Sequence, residues 1–342
     1  MEIKSSLTVD DVLLIPKYSE IESRKDVGLS VDFGKGISLN IPIVSANMKS
    51  ITEHKMAKQI ALLGGLAILH RFCSAEEQGE QFALATQGFP QLIDRIGVSV
   101  GVKDKDYDAL DILIGKYGAK IVCVDVAHAH GELAGMMTRY IADHYKEKGV
   151  FIISGNISTP EAAEYLERMG ADAVKVGIGG GSICTTRVET GNGVPTFSSV
   201  LSINEWRNKT KSKLKIISDG SCKSAGDVVK LCAAGADAVM IGNLISGTDE
   251  TPTEAITVNG VRYKEYNGSS TFKTNHIEGV KSLVCTKGPV SEVINKLCDG
   301  IRSGCSYQGV LKVSDLKNNP EFIKITNSGL IESRPHDVMV IK

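Results

Sequence analysis

Gly170-Ala-Asp-Ala-Val-Lys-Val-Gly177 recurs further along the chain as Gly235-Ala-Asp-Ala-Val-Met-Ile-Gly242. Each copy sets a glycine at the end of a helical stretch, then a short apolar run, then a glycine at that run's carboxyl end. A run with no polar alternation reads as a strand covered on both faces, as in a parallel sheet. The two repeats belong to runs over 173–178 and 238–242, and six more lie over 41–48, 66–70, 96–102, 120–127, 150–155 and 214–219. Amphipathic stretches predict helices over 53–63, 74–86, 107–117, 132–148, 159–169, 197–208, 225–234 and 290–302. Thr159-Pro160 is a helix cap followed by proline at the first helical position. The alternation predicts an α/β fold, and eight strands favour a closed (β/α)8 TIM barrel over an open doubly wound sheet. A long insertion follows the eighth strand. No linker, low-complexity tract or charge block divides residues 1–342, so a single barrel domain is expected.

Composition narrows the function classes. The formal net charge is −1 over 342 residues, which leaves no electrostatic footprint for nucleic acid or an anionic membrane. No apolar run approaches the ~18 residues that span a bilayer, and Met1-Glu-Ile-Lys-Ser-Ser6 has no apolar signal region. Eight scattered cysteines form no CxxC pair and no zinc spacing, as expected for reduced thiols in the cytoplasm.

The segment richest in chemistry is Lys175-Val-Gly-Ile-Gly-Gly-Gly-Ser-Ile-Cys-Thr-Thr-Arg187. A strand runs into Gly177, Gly179, Gly180 and Gly181, then Ser182, Cys184, Thr186 and Arg187. Glycines let backbone N–H groups approach an anion and expose carbonyls to a cation. A cysteine on such a loop near an arginine can be a nucleophile. On spacing alone, an inert cysteine in a glycine-rich turn is an equal reading. Barrel active sites lie at the carboxyl ends of the strands, and the loops after strands seven and eight often hold phosphate. Here those loops carry Asp219-Gly220 and Gly242-Asn243.

The GIG-x-GS-x-CTTR string resembles the signature loop of the IMP dehydrogenase/GMP reductase family. Residues 7–16, 41–48, 218–220, 240–242 and 332–336 resemble further family segments in the same order. The resemblance implies a (β/α)8 barrel, usually tetrameric, in which Cys184 attacks purine C2 to form a covalent thioimidate. It implies that Ser45, Met48, Gly181, Ser182, Asp219, Gly220, Ser221, Gly242, Asn243, Tyr266, Gly268, Ser269, Ser270 and Gly279 hold the nucleotide. Carbonyls around Gly179, Gly181 and Cys184, with Arg187, would form a loop for a monovalent cation such as K+. Ser23, Arg24, Arg71, Asp125, Val126, Ala127, Ile178 and Gly179 would contact NADPH, and Cys305 and Tyr307 would reach the cofactor of a neighbouring subunit. No GxGxxG opens a helix, so a Rossmann cofactor site is not expected.

Two features separate the family's branches. Dehydrogenases typically insert a regulatory CBS pair after the second helix, whereas here Arg71-Phe-Cys-Ser74 leads through one helix to Ile96. Dehydrogenases also hydrolyse their intermediate with a flap bearing an Arg-Tyr pair, and residues 269–278 contain neither arginine nor tyrosine. A reductase needs no water activation, only acid–base help for ammonia to leave. By the resemblance, Thr186 and Glu278 would supply it with Cys184. The expectation is therefore an NADPH-dependent GMP reductase. An IMP dehydrogenase with a shortened flap, a member acting on a modified purine, and a barrel without catalysis are the competing readings.

The chain also departs from the family pattern. Gly180 stands in place of the usual proline, Ser221 in place of a glycine, Ser269-Ser270 where a methionine usually covers the base, and Asn192 in place of a small apolar residue. These cluster around the expected nucleotide. Lys175 on its strand is expected to contact ligand or backbone. His128-Ala-His130, with no third acidic ligand nearby, reads as a loop feature rather than a metal site.

Overall fold

The protein is described here by a computed structural model that covers residues 3–268 and 280–339. Eight parallel strands close into a barrel: β1 (Ile43–Ser45), β2 (Leu66–Ile68), β3 (Ile96–Val100), β4 (Ile121–Asp125), β5 (Phe151–Ile157), β6 (Ala173–Val176), β7 (Lys215–Asp219) and β8 (Ala238–Ile241). Neighbours pair in sequence order and β8 closes onto β1, with Val239 opposite Ile43. Every residue of β1, β2, β3, β6 and β8 is buried. Their apolar runs therefore lack polar alternation: barrel interior lies on one side and the helical ring on the other.

The ring comprises α1 (His54–Leu62), α2 (Ala75–Thr86), α3 (Asp104–Leu110), α4 (Glu132–Tyr145), α5 (Pro160–Arg168), α6 (Thr196–Thr210), α7 (Ala225–Ala234) and α8 (Val290–Tyr307). Local signals fix their starts. Ser74 and Glu77 form a reciprocal capping box on α2, and the Thr159 side chain accepts the Ala162 N–H ahead of Pro160. The expected helix over 107–117 starts earlier, at Asp104, and passes at Asp111 into a wider π turn reaching Lys116. The last helix of the ring runs five residues past the expected Arg302, to Tyr307. Ser74 caps α2, and a short turn over Pro90–Arg95 leads from it to β3.

Elements outside the repeat finish the two ends. A hairpin of residues 31–34 and 37–39 carries Phe33, whose ring lies 6.0 Å from that of Phe151 at the start of β5. It closes the amino-terminal end of the barrel. After β8, strands over 255–258, 261–267 and 281–285 form an antiparallel sheet at the root of the expected flap. Buried Lys264 pins this root: its Nζ donates to the carbonyls of Thr248, Asp249 and Thr251 at 2.9, 3.2 and 3.1 Å. Burial lowers its ammonium pKa. Among the described residues, no helix is long and apolar enough to cross a membrane.

Candidate active site

A cleft of about 280 Å³ opens at the carboxyl ends of the strands. It is lined by the β1 end (Ala46 to Met48), Arg71 and Phe72 after β2, Asp125 to Ala127 at and after the end of β4, Asn156, Lys175, the loop 177–184 apart from Ser182, Thr186, Asp219, Met240, Tyr266 and Gly268.

The cysteine loop is folded around its glycines. Gly177 has φ 151°, and a Cβ there would lie 1.9 Å from the Asp219 carbonyl, so no side chain fits. Gly181 O accepts the Cys184 N–H at 3.1 Å, closing a turn that sets Cys184 at the cleft wall. The Cys184 thiol donates to Thr186 Oγ1 at 3.2 Å, and Thr186 opens a one-turn helix over 186–190. Arg187 Nε donates to Ile178 O at 3.1 Å and Nη2 to Val194 O at 2.8 Å. The guanidinium thus ties the loop to the segment before α6 rather than pointing at the thiol. Burial sorts the remaining cysteines: it pushes the thiols of Cys123 and Cys222 up to about 12 and those of Cys73 and Cys298 up to about 11. Such thiols stay protonated and poorly nucleophilic.

Beneath the loop lies a polar cluster. Lys175, 2% exposed, donates from Nζ to Asp125 Oδ1 at 2.8 Å and to Asn47 Oδ1 at 3.3 Å, with Asp219 Oδ2 at 3.7 Å. Asn156 Nδ2 donates to Gly177 O and to Asp219 Oδ2, both at 2.8 Å. Burial alone would raise the Asp125 carboxyl, but the Lys175 ammonium, then the Arg71 guanidinium, hold it below its usual range. Burial likewise opposes the charge on Lys175, yet the acidic groups around it, Asp125 foremost, raise its pKa. Tyr266, 4% exposed, is pushed up by burial and then by Asp219. Two strand-end carboxylates, Asp125 and Asp219, thus face one buried ammonium, and each can accept hydroxyl hydrogen bonds from a ribose.

Of the expected nucleotide residues, Met48, Gly181, Asp219, Tyr266 and Gly268 line the cleft. Gly242 lies beside it, where a Cβ would fall 3.1 Å from the Tyr266 hydroxyl. Ser182 is exposed on the loop. Ser45 is buried below the cleft and accepts from Thr52 Oγ1 at 3.0 Å. Gly220 and Ser221 pack under the loop, and the Asn243 carbonyl accepts from Lys287 at 2.7 Å. Glu278, Ser269, Ser270 and Gly279 lie outside the described residues. Of the expected cofactor residues, Arg71, Asp125, Val126, Ala127, Ile178 and Gly179 line the cleft. Ser23 and Arg24 do not. Their turn packs against α8, whose carboxyl end carries Cys305 and Tyr307. Cys305 is fully buried, so only Tyr307 of that pair offers a side chain to a neighbour. In the expected cation loop, the Gly181 and Arg187 carbonyls already accept the N–H groups of Cys184 and Gly191.

Sequence reasoning missed Asn47 and Asn156, and it expected Lys175 to meet ligand or backbone rather than two carboxylates. Asparagine near a barrel strand's carboxyl end was the available signal. His130 packs its ring 5.7 Å from that of Tyr165.

Comparison with known proteins agrees with this geometry. Residues 6–336 match the family model for the IMP dehydrogenase/GMP reductase domain. An inosine-5'-monophosphate dehydrogenase of Borreliella burgdorferi is 34% identical, over 99% of this chain and 98% of its own. A GMP reductase of Paracidovorax citrulli is also 34% identical, over 90% of this chain and 93% of its own. A crystal structure of a cysteine-to-alanine variant of Trypanosoma brucei GMP reductase, in complex with guanosine monophosphate, superposes with a TM-score of 0.91 at 28% identity, over 98% of this chain and 99% of that one. With its eight-stranded barrel and its cysteine loop at the carboxyl mouth, the chain belongs to the IMP dehydrogenase/GMP reductase family of purine-nucleotide oxidoreductases.

Proposed function

We propose that the protein is a GMP reductase, a single-barrel enzyme that converts GMP to IMP and ammonia with NADPH. The observation that carries the choice of branch is in the flap: residues 269–278 contain no arginine and no tyrosine, so the water-activating pair of the dehydrogenase branch is missing. Relatives of both branches match this chain, which makes the flap the deciding feature.

In this reading the Cys184 thiolate adds to the electron-poor purine C2, splitting one hard displacement into two steps. The exocyclic amine takes a proton and leaves as ammonia, giving the thioimidate. Thr186 sits one hydrogen bond from the sulfur and, with Glu278, handles the proton at the departing nitrogen. NADPH, when bound, supplies the hydride to C2, and release of the thiolate then yields IMP. The residues fit such a cofactor: Asp125, held ionised, suits ribose hydroxyls, and Arg71 donates from Nε to the Asp125 carbonyl at 3.0 Å in the same wall. Asp219 would accept from the nucleotide's ribose. K+ is proposed at the loop carbonyls, a homotetramer as the assembly and the cytoplasm as the location.

The test is absorbance at the nicotinamide band with two mixtures in parallel, GMP with NADPH and IMP with NAD, both with potassium. Loss of absorbance in the first alone is expected. A gain in the second alone overturns the reductase reading in favour of the dehydrogenase.

A further inference from the structure

Two departures from the family pattern meet in space. Gly180 and Ser221 lie on loops after different strands, yet the Ser221 N–H donates to the Gly180 carbonyl at 2.9 Å. Ser221 Oγ has two acceptors in reach, the same carbonyl at 3.3 Å and Thr196 Oγ1 at 3.2 Å, and shares one hydrogen between them. A Cβ on Gly180 would fall 2.7 Å from Ser221 Oγ and 2.5 Å from Thr196 Oγ1, inside any tolerable non-bonded contact. Gly180 is not among the positive-φ glycines, so it must be glycine for lack of space, not for backbone freedom. Ser221 is the converse case. Its φ is +61°, a region side chains avoid. A serine at such an angle persists only when its surroundings over-determine it, and here they are the two hydrogen-bond partners on and beside the cysteine loop.

We propose that Gly180 and Ser221 form a matched pair and that Ser221 is a positioning residue for the cysteine loop. The family loop that this one resembles carries proline at the first position and glycine at the second, so bulk has moved across the contact. The link to the nucleophile is short. The Gly180–Gly181 peptide rests on Gly220, where a Cβ would lie 2.9 Å from Gly180 C, and Gly181 O accepts the Cys184 N–H. A shift at Gly180 therefore reaches the turn that aims Cys184 through one peptide plane. This rests on reading Cys184 as the reactive thiol, but not on which nucleotide it meets.

The experiment is the rate at which iodoacetamide alkylates Cys184 in the intact protein, resolved by peptide mass spectrometry, with exposed Cys285 as reference. It needs no nucleotide, so it is decided separately from the GMP reductase reading. Gly180→Ala and Ser221→Gly should each change the Cys184 rate by roughly threefold or more, a common size for contact coupling, and leave Cys285 unchanged. Combined, they should return it toward wild type, because removing Oγ makes room for the new Cβ and frees the Thr196 hydroxyl to swing away. Ser221→Ala keeps the Cβ and the backbone angle but loses the hydroxyl, and it should behave as Ser221→Gly does. Strictly multiplicative effects in the double variant overturn the matched pair. An unchanged Cys184 rate in Ser221→Ala, or equal changes at Cys184 and Cys285, overturns the positioning role. Should Gly180→Ala or Ser221→Gly fail to fold, Ser221→Ala decides the positioning role, and recovery of folding when Ser221→Ala is added to Gly180→Ala, or its absence, decides the matched pair.

Discussion

Lys175 and Asp125 form an ion pair at the floor of the cleft, Nζ 2.8 Å from Oδ1, with Lys175 almost wholly out of solvent. The two residues stand on β6 and β4, on either side of β5, and both line the cleft. Losing one partner of a buried pair leaves an uncompensated charge and costs about 3–5 kcal/mol. Lys175→Met should therefore lower the thermal midpoint markedly. Adding Asp125→Asn should recover part of the loss, because the stranded carboxylate is gone. Calorimetry on the single and double variants checks this: purely additive losses would show that the pair is not coupled.

A second buried pair lies at the other end of the barrel and predicts an acid response. Arg207 Nη1 meets Asp237 Oδ2 at 2.6 Å, and Lys317 meets the other oxygen at 2.7 Å. Burial would raise the Asp237 carboxyl, but Arg207 and then Lys317 hold it below its usual value. A depressed carboxyl contributes stability that is present above its unfolded pKa, about 3.9, and is lost as pH falls through the folded value. Asp237→Asn should thus cost about 3–5 kcal/mol near neutrality. The gap to wild type should narrow below about pH 4. Denaturant midpoints measured across pH test it, and a gap independent of pH would place the loss elsewhere.

The fold was legible because the strands are buried on both faces and therefore carry an unbroken apolar signal, and because one eight-residue segment leading through a strand recurs with two differences. The hairpin that carries Phe33 and the pairing of residues 12–14 with 322–324 were not, since their partners are remote and such short strands leave little pattern. At the site, Cys184 and Thr186 of the loop string and Asp219 at the end of the seventh strand were expected from the family resemblance, and all three line the cleft. The hub on Lys175 was not: a lysine inside an apolar strand says nothing of its partners, which come from β4, β7 and the end of β1. Cys305 was read as reaching a neighbour, but helical periodicity turns it into the core.

Gly220 gives a sharp steric prediction. Its φ is +91°, and a Cβ would stand 2.9 Å from Gly180 C and 3.0 Å from Gly181 N, both backbone atoms that cannot swing aside. Gly220→Ala should cost about 1–3 kcal/mol in backbone strain and displace the cysteine loop. Turnover should fall further than stability does. A variant with wild-type turnover would show that the loop does not depend on this contact.

Thr186 supplies the test of acid–base chemistry nearest the sulfur. Its Oγ1 accepts from Cys184 Sγ at 3.2 Å, and when the thiol ionises the hydroxyl can turn to donate instead. Thr186→Val keeps the shape and removes that hydrogen. Positioned acid–base groups contribute about 10²–10⁴-fold, so kcat with GMP and NADPH should fall by that order, while KM for GMP changes little. Thr186→Ser keeps the hydroxyl and should restore much of the rate. A Thr186→Val enzyme that loses affinity and keeps kcat would assign Thr186 to holding the nucleotide, with the proton handled elsewhere.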